Sequence, residues 1–150
     1  MSTARLSLRW TLAILPALLW LGGCGGPASV TALRRSPHRV YSFEVPADCE
    51  TTFLRIARRA REQYSLIILA TRQPGVTARL APDGQSAVVT LFNAGGLDLQ
   101  YLLTADLHAL DPARTAVDAY CADGTAVREA QLWQQWANTP LAPGPEDPNQ

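Results

Sequence analysis

Three thiols and a shortage of bases define the chemistry open to this chain. The cysteines are Cys24, Cys49 and Cys121, the imidazoles are His38 and His108, and all 13 basic side chains are arginine. Without lysine there is no amine for a Schiff base and no P-loop lysine for a nucleotide phosphate. A Ser-His-Asp hydrolase needs a positioned imidazole, and neither histidine is accompanied by a Gly-x-Ser-x-Gly turn. No His/Cys grouping has zinc spacing. Asp106, Asp111, Asp118 and Asp123 lack the spacing and closing Glu of a calcium loop, and fit turn and cap chemistry instead. The residues therefore predict no catalytic group, no metal and no cofactor. With 13 acidic side chains against 13 basic ones the net charge is +0, which removes the electrostatic basis for nucleic-acid binding.

Position separates Cys24 from the other two thiols. Arg5 and Arg9 precede an apolar run from Trp10 to Leu21, 12 residues long. That is short of the ~20 residues that span a bilayer and fits the h-region of an export signal. The run closes on Leu21-Gly22-Gly23-Cys24, which resembles the lipobox of bacterial lipoproteins: an aliphatic residue, two small residues, then Cys. The resemblance implies cleavage after Gly23, diacylglycerol on the Cys24 sulfur and an acyl chain such as palmitate on the new amino group. The alternatives are a plain secretory signal followed by a free thiol, and an apolar helix that stays uncleaved. Several acyl chains, at about 0.8 kcal/mol per buried CH₂, anchor stably where one does not. In enterobacterial lipoproteins an Asp after the Cys marks inner-membrane retention. Gly25 stands there, so the expectation is an outer-membrane anchor facing the periplasm.

The organisation that follows is a signal over 1–23, a lipidated tether over 24–39, a domain over 40–137 and a Pro-rich disordered tail over 138–150. Gly, Pro and Ser in the tether predict a flexible coil reaching about 20 Å. Its Arg34, Arg35, His38 and Arg39 form a small basic patch for anionic headgroups or simple solvation.

An exported domain meets an oxidising compartment, so Cys49 and Cys121 are expected to form a disulfide. Closing their loop contributes about 4 kcal/mol in the chain-entropy account. The alternatives are two buried free thiols, or a redox role for Cys49, whose place near a helix N-terminus lowers a thiol pKa. Arg55, Arg58 and Arg59 line one helical face and offer a surface for phosphates or an acidic partner, or a merely solvated face. Trp133 and Trp136, three apart on a helix, can anchor a partner or cover a sheet.

The elements that must position these residues are read from periodicity. Alternation over 39–45 predicts a strand, ended by Pro46. Asp48 caps a helix over 49–63, with Phe53, Ile56, Ala57, Ala60 and Tyr64 inward. Residues 65–71 read as a strand, Pro74-Gly75 as a type II turn, and 76–80 and 87–92 as strands joined at Pro82-Asp83-Gly84. Residues 93–96 read as the next turn. Residues 97–110 carry both an alternating and a helical pattern; the preceding hairpins favour a strand. Thr115, Val117, Ala119 and Cys121 share one face of a last strand, and Asp123-Gly124-Thr125 opens a helix to Ala137. The order β-α-β-β-β-β-β-α predicts an α+β two-layer sandwich, a mostly antiparallel sheet with two helices on one face.

Phe43-Glu-Val-Pro-Ala-Asp48 leading into an aromatic-bearing helix, and Thr115–Cys121 before a Trp-containing helix, resemble small envelope lipoproteins of Gram-negative bacteria over residues 40–137. Strand, Pro, helix and meander also look like domains of the C-subunit lipoprotein of the outer-membrane barrel assembly machinery. The resemblance implies a non-enzymatic accessory or interaction module, docked to an envelope protein or polymer. Two alternatives stay open. One is a carrier of an apolar ligand, with a dry cavity lined by residues such as Phe53, Leu103 and Trp133. The other is a thiol-dependent redox protein using Cys49.

Overall fold

The computed structural model describes residues 26–65, 73–95 and 98–142. In chain order they form α1 (Val30–Arg35), β1 (Arg39–Val45), α2 (Cys49–Ser65), β2 (Gln73–Leu80), β3 (Ser86–Gly95), β4 (Asp98–Asp111), β5 (Arg114–Cys121) and α3 (Gly124–Asn138). The five strands make one antiparallel sheet in the order β1-β5-β4-β3-β2. β1 and β2 are its edges. The chain leaves β1, crosses the sheet as α2, enters at the opposite edge as β2, and meanders back to lie beside its starting strand. The fold class is the α+β sandwich expected. Of the strand expected over 65–71, Ser65 instead ends α2, and residues 66–71 lie outside the described residues.

α2 and α3 cover one face. Asp48 starts α2 by accepting the Thr51 N–H at 2.8 Å, and Asp123 starts α3 by accepting that of Ala126 at 2.8 Å, so each satisfies one orphan donor of a first turn. The inward residues of α2 (Phe53, Ile56, Ala57, Ala60) and of α3 (Ala126, Ala130, Trp133, Ala137) meet Phe43, Val45, Val89, Leu91, Leu103, Ala105, Leu107, Val117 and Ala119 in one continuous core. The alternation over β1 and β5 places these side chains as the periodicity predicts.

Two details of β4 explain its mixed pattern. Leu91 pairs with Leu103 and Phe92 with Tyr101, so Leu102 is an extra residue, a β-bulge. Leu102 packs against the core alongside Leu103, which interrupts strict alternation and imitates helical spacing. A second irregularity skips Leu110. Pro74 and Gly75 form no turn; both lie in β2, paired with Asn93 and Phe92. Pro is tolerated there because β2 is an edge strand and needs no donor on its outer side. Glycine is required because a Cβ at Gly75 would stand 2.4 Å from the Phe92 ring.

The opposite face carries the larger departure. The flexible tether expected over 24–39 contains helix α1, which packs on β4 and β5. Ser29 caps it by accepting the Ala32 N–H at 3.0 Å. Leu33 is 0% exposed, and Arg34 grips Asp106 with Nε to Oδ2 at 2.8 Å and Nη2 to Oδ1 at 2.5 Å. Asp106 lies between Ala105 and Leu107, which face α2 and α3, so α1 covers the other side. Beneath this layer Thr90 and Thr104 are buried with their hydroxyls 3.3 Å apart. The sheet thus has helices on both faces: two long ones in front, as expected, and one short one behind.

Candidate functional site

The two domain cysteines do not meet, which corrects the expected disulfide. Cys49 is 2% exposed and Cys121 is 0% exposed, and both are free. β1 runs antiparallel to β5, so Val45 pairs with Thr115 and Arg39 with Cys121. Cys49 follows Val45 and therefore begins α2 at the Thr115 end, where the Thr115 hydroxyl donates to the Ala47 carbonyl at 2.8 Å. Cys121 is six residues further along β5, about 20 Å at the rise of a strand. A disulfide needs Cα atoms within about 7 Å. Compartment and cysteine count say nothing about this separation; strand direction decides it.

Neither thiol is poised to react. Burial pushes Cys49 above its ordinary pKa, and Asp48 and Asp83 push it further, which outweighs its place in the first turn of a helix. Burial, with Asp123, raises Cys121 to about 11. A buried neutral thiol is a small apolar side chain rather than a nucleophile.

The arginine face of α2 is spent inside the molecule. Arg55 Nη1 donates to the Ala137 carbonyl at 2.9 Å. Arg59 donates to the carbonyls of Trp136 at 2.5 Å, Thr139 at 2.8 Å and Pro140 at 2.8 Å. Arg58 Nε pairs with Glu62 at 2.9 Å, one turn on. Thr139 and Asn138 side chains take the carbonyls of Gln135 and Gln134, each at 2.8 Å. The carbonyls of Gln135, Trp136 and Ala137 at the end of α3 are thus partnered, and two guanidinium charges sit at the negative end of its dipole. Arg59 also ties down Pro140, at the start of the tail expected from 138. Trp133 is 1% exposed and part of the core, whereas Trp136 is half-buried beside Arg59. The structure brings Arg59 and Trp136 together and withdraws Trp133 from any partner.

The four aspartates singled out in the sequence are equally committed. Asp106 holds Arg34, Asp118 accepts the Ser42 hydroxyl at 2.6 Å, Asp123 caps α3, and Asp111 organises the β4–β5 turn through Ala113 N–H at 2.8 Å and Arg114 at 2.7 Å. Among the described residues no group of His, Cys, Asp and Glu is placed to hold a metal, and no helix is long and apolar enough to cross a membrane. One pairing escapes sequence reasoning: the Tyr64 hydroxyl donates to the Glu129 carboxylate and joins the end of α2 to α3. Burial, first, and this bond push the Tyr64 pKa well above the usual phenol range. A groove of about 270 Å³ opens beside it, lined by Tyr64, Pro74, Leu91, Leu102 and Ala126 among others. Phe53, Leu103 and Trp133, expected to line a ligand cavity, lie in the continuous core instead.

The remaining candidate is the N-terminal segment. Pro27 accepts the Tyr101 N–H at 3.1 Å, and Gly26 lies against Gln100. β5 pairs with β4 only from Leu103 onward. Just past that ladder the Ala122 N–H still reaches the Leu102 carbonyl at 2.9 Å, and Pro27 supplies the acceptor for the next N–H along β4, that of Tyr101. From this contact the chain enters α1, crosses the sheet, and reaches β1 through a His38 N–H bond to the Cys121 carbonyl at 2.8 Å. Comparison with known proteins yields no match to a family model, a curated protein or a solved structure.

Proposed function

We propose that this chain is an exported lipoprotein, anchored by lipid on Cys24 in the outer membrane and facing the periplasm. Its domain is a non-enzymatic accessory module that docks to an envelope protein or polymer. The observation that carries the reading is Leu21-Gly22-Gly23-Cys24 directly after a basic n-region and a 12-residue apolar run. The domain's use of its reactive groups supports the second half. Its thiols are buried, its arginines cap a helix, and its aspartates hold turns, caps and the tether. A closed thiol at Cys49 argues against the redox alternative, and a core filled by Phe53, Leu103 and Trp133 argues against the carrier.

Metabolic labelling with an alkyne palmitate analogue in a Gram-negative host tests the anchor. The wild-type chain should take up label and sediment with outer membranes, and Cys24→Ser should lose both. Retention of label and sedimentation by Cys24→Ser would overturn the lipidation reading. In-cell crosslinking of the anchored form, followed by pull-down, tests the docking role; consistent recovery of no envelope component would count against it.

A further inference from the structure

We propose that the β3–β4 end of the sheet rests on the lipid surface, with Leu99 at the interface, so that the domain stands on its membrane in one orientation. This rests on the lipidation of Cys24 proposed above.

The argument is one of chain length. Only Gly25 separates Cys24 from Gly26, which lies against Gln100 on β4. Two residue steps span at most about 7 Å. A lipid on Cys24 therefore holds Gly26 within that distance of the lipid-bearing residue, and this end of β4 one van der Waals contact beyond it. The segment behind the anchor offers no slack. It is fixed at Pro27, at the Ser29 cap, at fully buried Leu33 and at the Arg34–Asp106 pair. The freely swinging coil expected for the tether is replaced by a short leash on a rigid body.

The surface at this end suits the role. Leu99 is a large apolar side chain left 42% exposed, and its cross-strand partner is exposed Ala94. Both lie one residue step from Gln100 or its partner Asn93. The same strand supplies its own reference point. Leu110, 48% exposed, stands eleven residues along β4 at the far end, which is roughly 35 Å away at the rise of a strand. A domain lying on its side would present both leucines to lipid alike. An upright one presents Leu99 alone.

The test uses the full lipoprotein, processed in a Gram-negative host and reconstituted into phosphatidylethanolamine/phosphatidylglycerol vesicles. Leu99→Cys and Leu110→Cys each provide one reactive thiol, since Cys49 and Cys121 are buried. Each is labelled with an environment-sensitive fluorophore and quenched by nitroxide lipids, and intact mass confirms acylated Cys24. The expected result is a blue-shifted Leu99→Cys label, quenched several-fold more than the Leu110→Cys label. Equal quenching at the two sites on acylated protein would overturn the orientation and leave the lipoprotein reading standing. Absence of the lipid mass would overturn both. A ten-residue Gly-Ser spacer inserted after Gly25 should erase the contrast; its persistence would overturn the leash as the cause.

Discussion

Cys121 closes β5 with its thiol out of water and its pKa at about 11, against an ordinary value of 9.0. Below pH 9 the folded and unfolded chains both carry this proton. Between pH 9 and 11 the unfolded chain releases it first, so stability falls as pH rises through that window. At about 1.4 kcal/mol per pKa unit the loss is of order 3 kcal/mol. Tyr64 acts in the same direction at still higher pH, because burial also raises its pKa. We predict that urea denaturation of wild type shows this decline and that Cys121→Val flattens it; parallel pH profiles would show that the thiol is not its source. The free thiols give a second expectation. Cys49 and Cys121 should resist iodoacetamide in the native protein and both label in denaturant without any reductant, as counted by mass. A reductant requirement would restore the disulfide.

At the scale of elements, β2 is held by a glycine that the Phe92 ring lies across. Gly75→Ala sets a Cβ 2.4 Å from that ring, and relieving the clash should cost about 1–3 kcal/mol in chemical denaturation. A neutral result would mean the ring moves aside freely. Helix α3 depends on a neighbour for its end. Arg59→Ala removes donors from the carbonyls of Trp136, Thr139 and Pro140. It should cost about 1–2 kcal/mol, with amide exchange accelerating over the last turn of α3 and leaving β5 unchanged. Uniform acceleration would point to a global effect instead. Both features also bear on what sequence can convey. Pro74-Gly75 reads as a turn because those residue types favour one. Only the edge position of β2 and the ring of Phe92 make them a strand. The arginines of α2 read correctly as one polar face, but the acceptors of Arg55 and Arg59 lie some 80 positions later in the chain and have no local signature.

The whole molecule is held on both faces of one sheet, and the rear face depends on α1. Leu33→Ala removes the one fully buried side chain of that helix and should cost about 2–4 kcal/mol. It should also expose residues 26–38 to limited proteolysis before the rest of the domain is cut. Unchanged resistance would place the segment's hold elsewhere. The helix is nearly invisible in sequence for a physical reason. Six residues with a single buried apolar position generate no periodicity, and only Ser29, a good N-cap, marks its start. It forms because tertiary contacts, Leu33 against the sheet and Arg34 against Asp106, compensate for a length too short to be stable alone. Its docking converts the tether from a spacer into part of the fold and sets the leash from which the proposed orientation follows.

Local chemistry in the sequence was enough to indicate the strands and long helices described, apart from residues 74–75 and 93–95, which read as turns and lie in β2 and β3, because each element buries one face and so repeats its apolar residues with a period of two or close to 3.6. The helix starts at Asp48 and Asp123 and the α+β class follow from the same signals. So does the expectation of an export signal with a lipid-bearing Cys24, a local motif that needs no fold to be read. Tertiary structure alone decided what pairs across distance. Antiparallel pairing of β1 with β5 sends Cys49 and Cys121 to opposite ends of the sheet, packing turns the arginine face into a cap for α3, and the Tyr101 N–H of β4 meets the Pro27 carbonyl. Each of these depends on strand direction and register, which join residues far apart in the chain and leave no trace in local spacing.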